Sequence, residues 1–443
     1  MPGLPTVASA KAGLLRICTA GSVDDGKSTL IGRLLYDSRA VYEDQVQSVR
    51  ASTRNLTAGP IDFSLFTDGL RAEREQGITI DVAYRYFATA RRKFILADTP
   101  GHEQYTRNMA TGASTADVAI LLVDAKNGVK EQTRRHARIA RLLGIANFVV
   151  AVNKIDLVGF DEGVFRGICD ELPDVLGEAA RVQAIPLSAL HGDNVITSSD
   201  RTPWYNGPAL LPHLESADVA PWHAGAPFRF PVQLVVRPDA DFRGYAGQIA
   251  SGTIRVGDRL TAWPSGAATR VTRIVTWDGD LDAATAPMSV TLVLAHDIDI
   301  SRGDLLATDP LHVGRRFTAD VVWMDERPLD PKRPYVLKQG TRTVMAEAGS
   351  ALQLNQIGPV TITTGRPIVF EPYADNRTTG SFILIDAATN FTAGAGMIVS
   401  ALADEGSTVT PGAAERIAQA AREAATEGAA VHAVRAMLEE MLT

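Results

Sequence analysis

The feature that most constrains this chain is a glycine-rich turn, Gly21–Ser28, with the sequence G-S-V-D-D-G-K-S. It fits the phosphate-loop pattern G-x-x-x-x-G-K-[ST] at every fixed position. The apolar run Leu14–Cys18 before it predicts a buried strand, and Thr29–Leu35 after it has apolar residues at helical spacing. A strand, a glycine turn and a helix in this order predict a phosphate site at the start of the helix.

Each position in this turn has a predicted use. Gly21 and Gly26 let the backbone curl so that successive N–H groups point at phosphate oxygens. Lys27 can reach the β- and γ-phosphates, and the Ser28 hydroxyl can bind Mg²⁺. A glycine turn without a ligand is the alternative, which the motifs downstream oppose. The predicted phosphate contacts are Gly21, Ser22, Val23, Asp24, Asp25, Gly26, Lys27, Ser28 and Thr29.

Composition narrows the class of protein. The 443 residues predict roughly two to four domains, and 45% hydrophobic with 21% charged residues are typical of a globular protein. The net charge of −7 argues against non-specific nucleic-acid binding, although a local basic face stays open. Residues 1–11 are expected to be a flexible N-terminus without the apolar core of a signal peptide, and no apolar run is long enough to span a bilayer.

The chain contains two cysteines, Cys18 and Cys169. Two cysteines cannot build a disulfide framework, so a reducing compartment, the cytoplasm, is predicted. Cys18 lies in the first predicted strand, where we expect a buried and inert thiol.

Strand-like runs alternate with helical patterns from the phosphate loop to about residue 200. This alternation predicts an α/β domain with a mostly parallel sheet and helices on both faces. Ligands of such sheets bind beyond the carboxyl ends of the strands. Because the D-T-P-G and N-K-I-D motifs each follow directly after a predicted strand, they predict one shared site. The further predicted strands are Lys93–Ala97, Val118–Val123, Phe148–Val152 and Val182–Pro186.

The motif D-T-P-G-H begins at Asp98. The Asp98 carboxylate can hold the Mg²⁺ shell through water, and the Gly101 N–H can bind a γ-phosphate. Thr99 and Pro100 join the predicted phosphate contacts. His102 can orient an attacking water, although a lone histidine is otherwise a surface or capping residue.

The segment Asp68–Asp81 is polar and long, as expected of a mobile nucleotide switch. Thr79 within it is the predicted second hydroxyl ligand of Mg²⁺, bound only when a γ-phosphate orders the segment. The charged run Arg71–Glu75 can also be a solvated helix face. The predicted Mg²⁺ set is therefore Ser28, Thr79 and Asp98.

The motif N-K-I-D supplies Asn153, Lys154 and Asp156. The Asp156 carboxylate can accept hydrogen bonds from the N1–H and 2-amino groups of guanine. Adenine lacks this donor pair, so the carboxylate selects guanine. Ser188-Ala189 follows the next strand and can offer a backbone N–H to guanine O6. Four elements in this order predict a GTPase.

These motifs make the chain resemble the elongation factor Tu-like GTPases. The shared stretches are V-D-x-G-K-[ST]-T-L, E-x-G-I-T-I, D-T-P-G-H and N-K-I-D. The resemblance implies GTP and Mg²⁺ as ligands and a monovalent cation near Asp24. It also implies an apolar gate of Val23 and Ile78 around His102.

More narrowly, residues 12 to 402 resemble the GTPase subunits of bacterial sulfate adenylyltransferases. The stretches that carry this are Gly21–Ser38, Val82–Phe87, His102–Met109, Trp204–Pro208 and Asn376–Met397. The resemblance implies a separate catalytic small subunit that joins ATP and sulfate into adenosine 5′-phosphosulfate and pyrophosphate. GTP hydrolysis by this chain would drive that unfavourable step. No nucleic-acid or membrane partner is expected.

The second half of the chain is predicted to consist of β-strands. We predict a GTP-binding domain over 12–215, a linker over Pro203–Pro227, and β-barrel domains over 225–314 and 315–402. Gly-Asp pairs at 257, 279 and 303 predict turns. Predicted strands of the first barrel are Phe230–Val236, Gly244–Ile254, Arg259–Trp263, Thr269–Trp277 and Ser289–Leu294.

Residues 413–442 predict a C-terminal helix with an apolar stripe. We favour a helix that packs on a barrel of the same chain over a helix that docks to a partner protein.

Two other functions stay open on the sequence. One is a translation factor that carries aminoacyl-tRNA, and the other is a GTP-gated scaffold with negligible hydrolysis. Adenylyl transfer by this chain itself is not expected, because it has one phosphate loop and no two of its eight histidines lie within four residues of each other. The α/β nucleotidyl transferases commonly use such a histidine pair on the α-phosphate.

The base-selection hypothesis predicts that Asp156→Asn shifts preference from GTP to XTP. Xanthine replaces the 2-amino donor of guanine with a carbonyl acceptor, which matches the donor of an asparagine amide. Competition binding measures this, with Asp174→Asn as a control in the same domain. A variant that still prefers GTP would contradict the assignment.

Overall fold

The computed structural model describes residues 13–38, 47, 49, 61–66, 81–102, 105–218, 225–239 and 242–403. Several predictions lie outside these residues: the flexible N-terminus, the switch segment with Ile78 and Thr79, and the helix over 413–442. None of the helices among the described residues has the length and apolar character needed to cross a membrane.

The N-terminal domain contains a six-stranded sheet in the order β2-β3-β1-β4-β5-β6. Its five predicted strands are present and parallel, and β4 is buried at every position, as expected for a sheet covered on both faces. The edge strand β2 is not predicted from the sequence, and it pairs antiparallel with β3. The bounds are β1 Leu14–Ala20, β2 Ala83–Ala88, β3 Lys93–Asp98, β4 Val118–Asp124, β5 Asn147–Asn153 and β6 Arg181–Pro186.

Helices cover both faces of this sheet, as predicted. One apolar core lies under α2, α3 and α4, and a second lies under α1 and α5. Cys18 is buried in the first core, where burial raises the pKa of its thiol to about 12. The helices are α1 Lys27–Asp37, α2 Thr106–Ala113, α3 Glu131–Leu142, α4 Glu162–Leu176 and α5 Leu210–Ser216, with short 3₁₀ turns at Phe63–Phe66 and Ile155–Val158.

The first barrel is a sheet in the order β10-β15-β7-β8-β14-β11-β12, which closes through the pairing of β10 with β11. A separate pair, β9 with β13, lies beside it. Its strands are β7 Arg229–Val236, β8 Gly244–Gln248, β9 Thr253–Arg255, β10 Arg259–Trp263, β11 Ala267–Thr276, β12 Gly279–Leu281, β13 Ala283–Thr285, β14 Ser289–Leu294 and β15 Leu305–Ala307.

Two local predictions in this barrel were wrong. The single strand predicted over Gly244–Ile254 is broken into β8 and β9, because Gly252 takes a left-handed φ of 75° that interrupts an extended run. The turn predicted at Gly279-Asp280 instead lies two residues earlier, at Trp277-Asp278, and Gly279 begins β12.

The second barrel is closed in the order β16-β19-β18-β17-β20-β21. Its first strand begins at residue 312, so the boundary predicted between 314 and 315 falls inside that strand, and the domain limits stay a prediction. The elements are β16 His312–Trp323, β17 Tyr335–Gln339, β18 Arg342–Ala348, β19 Ile357–Phe370, the short helix α6 Arg377–Gly380, β20 Ser381–Asp386 and β21 Thr392–Ala401.

A short segment, Asn376–Gly380, joins the three domains. The Asn376 side chain caps α6 by accepting from the N–H of Thr378, and its Nδ2 donates to Ser251 Oγ of the first barrel at 3.2 Å. Arg377 donates to the carbonyl of Gly144 in the N-terminal domain. This segment therefore fixes how the second barrel sits against both neighbours.

A buried ion pair supports the same junction. Arg229 on β7 has only 6% of its side chain exposed, and its Nη2 lies 2.9 Å from Oε1 of Glu371, which follows β19. Thr379 Oγ1 donates to the other carboxylate oxygen at 2.8 Å. The buried charge of Arg229 in the first barrel is therefore paired with a carboxylate from the second barrel.

We expect Glu371→Gln to destabilise the chain by about 3 kcal/mol, because it leaves the Arg229 charge buried without its close carboxylate. Asp280→Asn is the matched control, since its ion pair with Arg273 lies on the surface and we expect no measurable change. Thermal unfolding measures both variants. Equal unfolding temperatures would show that the pair between the barrels adds no stability.

Candidate functional site

The glycine-rich turn joins β1 to α1. Gly26, the residue before α1, has a left-handed φ of 91°. A Cβ at this position would collide with the side-chain amide of Asn153, so glycine is needed both for its conformation and for space. Asp24 also takes a positive φ, 65°. The backbone curls as the motif predicts.

The Lys27 amine lies inside this curl. Its Nζ donates to the carbonyl oxygens of Gly21 at 3.1 Å and Ser22 at 2.8 Å. Burial lowers the pKa of Lys27, and the nearby carboxylates of Asp25 and Asp98 oppose that shift. A Cβ on Gly101 would collide with the Lys27 Nζ, so the D-T-P-G motif approaches the lysine as closely as glycine allows.

An open cavity of about 470 Å³ lies over the turn. It brings together residues of the glycine-rich turn, the D-T-P-G-H motif and the N-K-I-D motif, which the sequence predicts to share one site. All of the lining residues except Ser64 are predicted site residues: Val23, Asp24, Gly26, Lys27, Ser28, Thr29, Ser64, Gly101, His102 and Lys154.

Some predicted phosphate contacts face the protein in this structure. The Asp25 carboxylate is 1% exposed, accepts from the Ser22 N–H at 2.7 Å and pairs with Lys130 Nζ at 3.0 Å. Thr99 is fully buried, and its hydroxyl donates to the carbonyl of Thr19 at 2.5 Å. Neither Asp25 nor Thr99 lines the cavity over the turn.

Two residues of the predicted Mg²⁺ set lie among the described residues. Ser28 lines the cavity at the start of α1, and Asp98 ends β3 with 2% of its surface exposed. Thr79 lies outside the described residues. Hydroxyl and carboxylate oxygens are the ligands that Mg²⁺ prefers, so the residues present fit this ion.

The N-K-I-D motif connects the turn to the loop after β6. Asn153 Nδ2 donates to the carbonyl of Asp25 at 2.8 Å, and its Oδ1 accepts from the Ala189 N–H at 3.0 Å. The pair Ser188-Ala189 is predicted to offer a backbone N–H to guanine O6, and in this structure the Ala189 N–H donates to asparagine. Lys154 Nζ donates to the Asp24 carbonyl at 2.5 Å and pairs with Asp124 at 2.9 Å.

The predicted base-selecting carboxylate lies close to a histidine. Asp156 Oδ2 is 3.8 Å from His191 Nε2, and its side chain is 13% exposed. Ser188, also predicted on this side, is fully buried, and its N–H donates to the carbonyl of Asp193 at 3.2 Å.

His102 lines the cavity beside Gly101. Its ring meets that of Tyr105 edge-on, with centroids 6.3 Å apart. Of the two predicted gate residues, Val23 lines the same cavity and Ile78 lies outside the described residues.

Sequence reasoning missed three residues that contact the turn, one just before α3 and two within it. Lys130, Thr133 and His136 contact Asp25, Ser22 and Gly21 in turn. Their spacing of three residues places them on neighbouring turns of a helix, and this periodicity after β4 was the available signal.

Residues 13–220 match the family described as Elongation factor Tu GTP binding domain, and residues 345–399 match GTP-eEF1A C-terminal domain-like. The chain is also similar to a solved structure of sup35 complexed with GDP, at 24% identity and a TM-score of 0.40, covering 88% of this chain and 95% of that one.

Two relatives match most of the chain. It is 53% identical over 412 residues to sulfate adenylyltransferase subunit 1 of Aeromonas salmonicida (strain A449), which covers 88% of each chain. It is 51% identical over 417 residues to the bifunctional enzyme NodQ of Rhizobium sp. (strain N33). That match covers 89% of this chain but only 65% of the relative's length.

We expect Lys27→Ala to abolish GTP binding, because the γ-phosphate loses a charge-assisted contact in a buried position. Lys126→Ala is the control, since Lys126 is exposed beyond β4. Calorimetry measures both affinities. If GTP affinity is unchanged in the first variant, the assignment of the phosphate loop is wrong.

Proposed function

Because the chain belongs to the family of sulfate adenylyltransferase subunit 1, we propose that it is the GTPase that drives sulfate activation by a separate catalytic subunit. The observation that carries this is 53% identity over 88% of both chains. By this proposal, the partner joins ATP and sulfate into adenosine 5′-phosphosulfate and pyrophosphate. That mixed anhydride forms unfavourably, so hydrolysis of GTP supplies the drive.

The phosphate end of GTP is assigned to the cavity over the glycine-rich turn. Lys27 contacts the β- and γ-phosphates, and its two carbonyl contacts hold the amine there until a nucleotide enters. Gly101 donates its N–H to the γ-phosphate. The other assigned phosphate contacts are Gly21, Ser22, Val23, Asp24, Asp25, Gly26, Ser28, Thr29, Asp98, Thr99 and Pro100.

Mg²⁺ is assigned to Ser28, Thr79 and Asp98, and when bound it neutralises charge on the β- and γ-phosphates. A monovalent cation near Asp24 is supported only by the resemblance to elongation factor Tu-like GTPases. The Asp24 carbonyl already accepts from Lys154, so that cation would use the Asp24 carboxylate.

Guanine is assigned to Asn153, Lys154, Asp156, Ser188 and Ala189. Asp156 accepts from the base, and Lys154 covers its face with the aliphatic part of the side chain. In this structure the Ala189 N–H donates to Asn153 Oδ1. When guanine is bound, this N–H either gives up that hydrogen bond and donates to guanine O6, or divides its donation between the two oxygens.

His102 is assigned the task of orienting the attacking water. The ring acts through its position in the transition state. The described position beside Gly101 supports this assignment, since the γ-phosphate is placed at the same glycine. The cytoplasmic location and the identity of the small catalytic subunit remain predictions.

A radiolabelled-sulfate assay tests the proposal. The purified chain with ATP, GTP and sulfate should yield no labelled product, whereas addition of the copurified catalytic subunit should yield product that increases with GTP.

His102→Ala should keep GTP affinity and slow hydrolysis at least about tenfold, which removes the GTP-dependent increase. His296→Ala, an exposed histidine of the first barrel, is the matched control.

Labelled product from the chain alone would overturn its assignment as the driving subunit. If the chain and its partner form the same amount of labelled product with and without GTP, the proposed coupling is wrong. Wild-type single-turnover rates in His102→Ala would remove His102 from the mechanism.

A further inference from the structure

Helix α3 and the residue before it contact the glycine-rich turn through side chains. Lys130, which precedes the helix, places its Nζ 3.0 Å from Asp25 Oδ1. Thr133 Oγ1 lies 3.1 Å from Ser22 Oγ, and both side chains are buried. These contacts join residues more than one hundred positions apart in the chain, so they form only when the domain folds.

His136 makes the deepest of these contacts. The Gly21 N–H donates to His136 Nδ1 at 3.2 Å, and the ring is fully buried. Burial, with the charge of Lys27 as a lesser cause, lowers the pKa of His136 to about 3. The ring is therefore neutral at neutral pH and accepts at Nδ1.

The hydrogen bond to His136 fixes the peptide that joins Ala20 to Gly21. The next peptide, which joins Gly21 to Ser22, carries the carbonyl oxygen that accepts from Lys27 Nζ at 3.1 Å. The imidazole thus reaches Lys27 through one residue. It touches neither the cavity nor its proposed ligand, so it is a positioning residue.

The far end of α3 is fixed to the second barrel. Arg138 Nη2 donates to the Ile357 carbonyl at 3.4 Å, and the Tyr373 hydroxyl donates to the Leu143 carbonyl at 2.8 Å. The next carbonyl, that of Gly144, accepts from Arg377. One helix therefore contacts the glycine-rich turn at its start and the barrel at its end.

We propose that α3 holds the glycine-rich turn in its nucleotide-binding shape, with His136 as the main positioning residue, and that the second barrel fixes α3 for this purpose. This inference rests on the proposed function, because it takes a guanine nucleotide as the ligand. It adds a route by which the packing of the second barrel sets nucleotide affinity.

Three variants test the part played by His136. His136→Leu removes the acceptor and keeps an apolar side chain, so the buried Gly21 N–H loses its partner and GDP affinity should fall at least about fivefold. His136→Asn offers an oxygen near the Nδ1 position and should stay within about twofold of wild type. Ile139→Ala creates a cavity on the same helix without touching the turn, so it should lower the unfolding temperature while keeping GDP affinity.

Calorimetry with Mg²⁺·GDP and thermal unfolding without nucleotide give the two readouts. Wild-type affinity in His136→Leu, or equal losses in the Leu and Asn variants, would overturn the positioning assignment. A wild-type chain that binds neither GDP nor GTP would instead overturn the proposed function. The two failures are therefore distinguishable.

Tyr373→Phe tests the link to the second barrel, because it removes only the hydroxyl that donates to Leu143. Hydrogen–deuterium exchange of the nucleotide-free chain should become faster in residues 131–143 and 21–28. Residues 210–216, which pack in the other core, serve as the internal control and should not change. Unchanged exchange in 21–28 would overturn the link.

Discussion

The side chain of Asn153 is the contact on which both ends of the cavity depend. One end of its amide holds the carbonyl of Asp25 in the glycine-rich turn, and the other holds the Ala189 N–H in the loop after β6. Gly26 leaves the space in which this amide lies. A buried amide is costly unless both of its ends are paired, so the turn and the loop stabilise each other. One side chain therefore links the turn on the phosphate side to the loop proposed for the base.

The fold could be predicted where burial leaves a simple pattern in the sequence. The parallel strands are continuous apolar runs because helices cover both of their faces, and β4 is the extreme case. The edge strand β2 was missed because Tyr84 and Tyr86 are exposed and interrupt the apolar pattern. The break at Gly252 was missed because a glycine within an alternating run does not reveal its φ.

The sequence could predict that the motifs lie close together, but not the hydrogen bonds between them. Lys27, Gly101 and Lys154 line one cavity, because the carboxyl ends of parallel strands meet at one edge of the sheet. They could not show that Asp25 faces Lys130, because that partner lies far along the chain. For the same reason, His136 stood out in the sequence only as one histidine among eight. A local motif fixes backbone shape, whereas tertiary packing decides which way each side chain turns.

The junction at Asn376–Gly380 limits how the three domains can be recombined. Within a few residues, the segment from Glu371 to Thr379 supplies partners to Arg229 and Ser251 of the first barrel and to Gly144 of the N-terminal domain. A chimera that exchanges the second barrel alone would lose its contacts with both neighbours at once. The second barrel and the surfaces that it contacts must therefore be exchanged together. In this architecture, a unit that can be exchanged has to carry the contacting residues of all three domains.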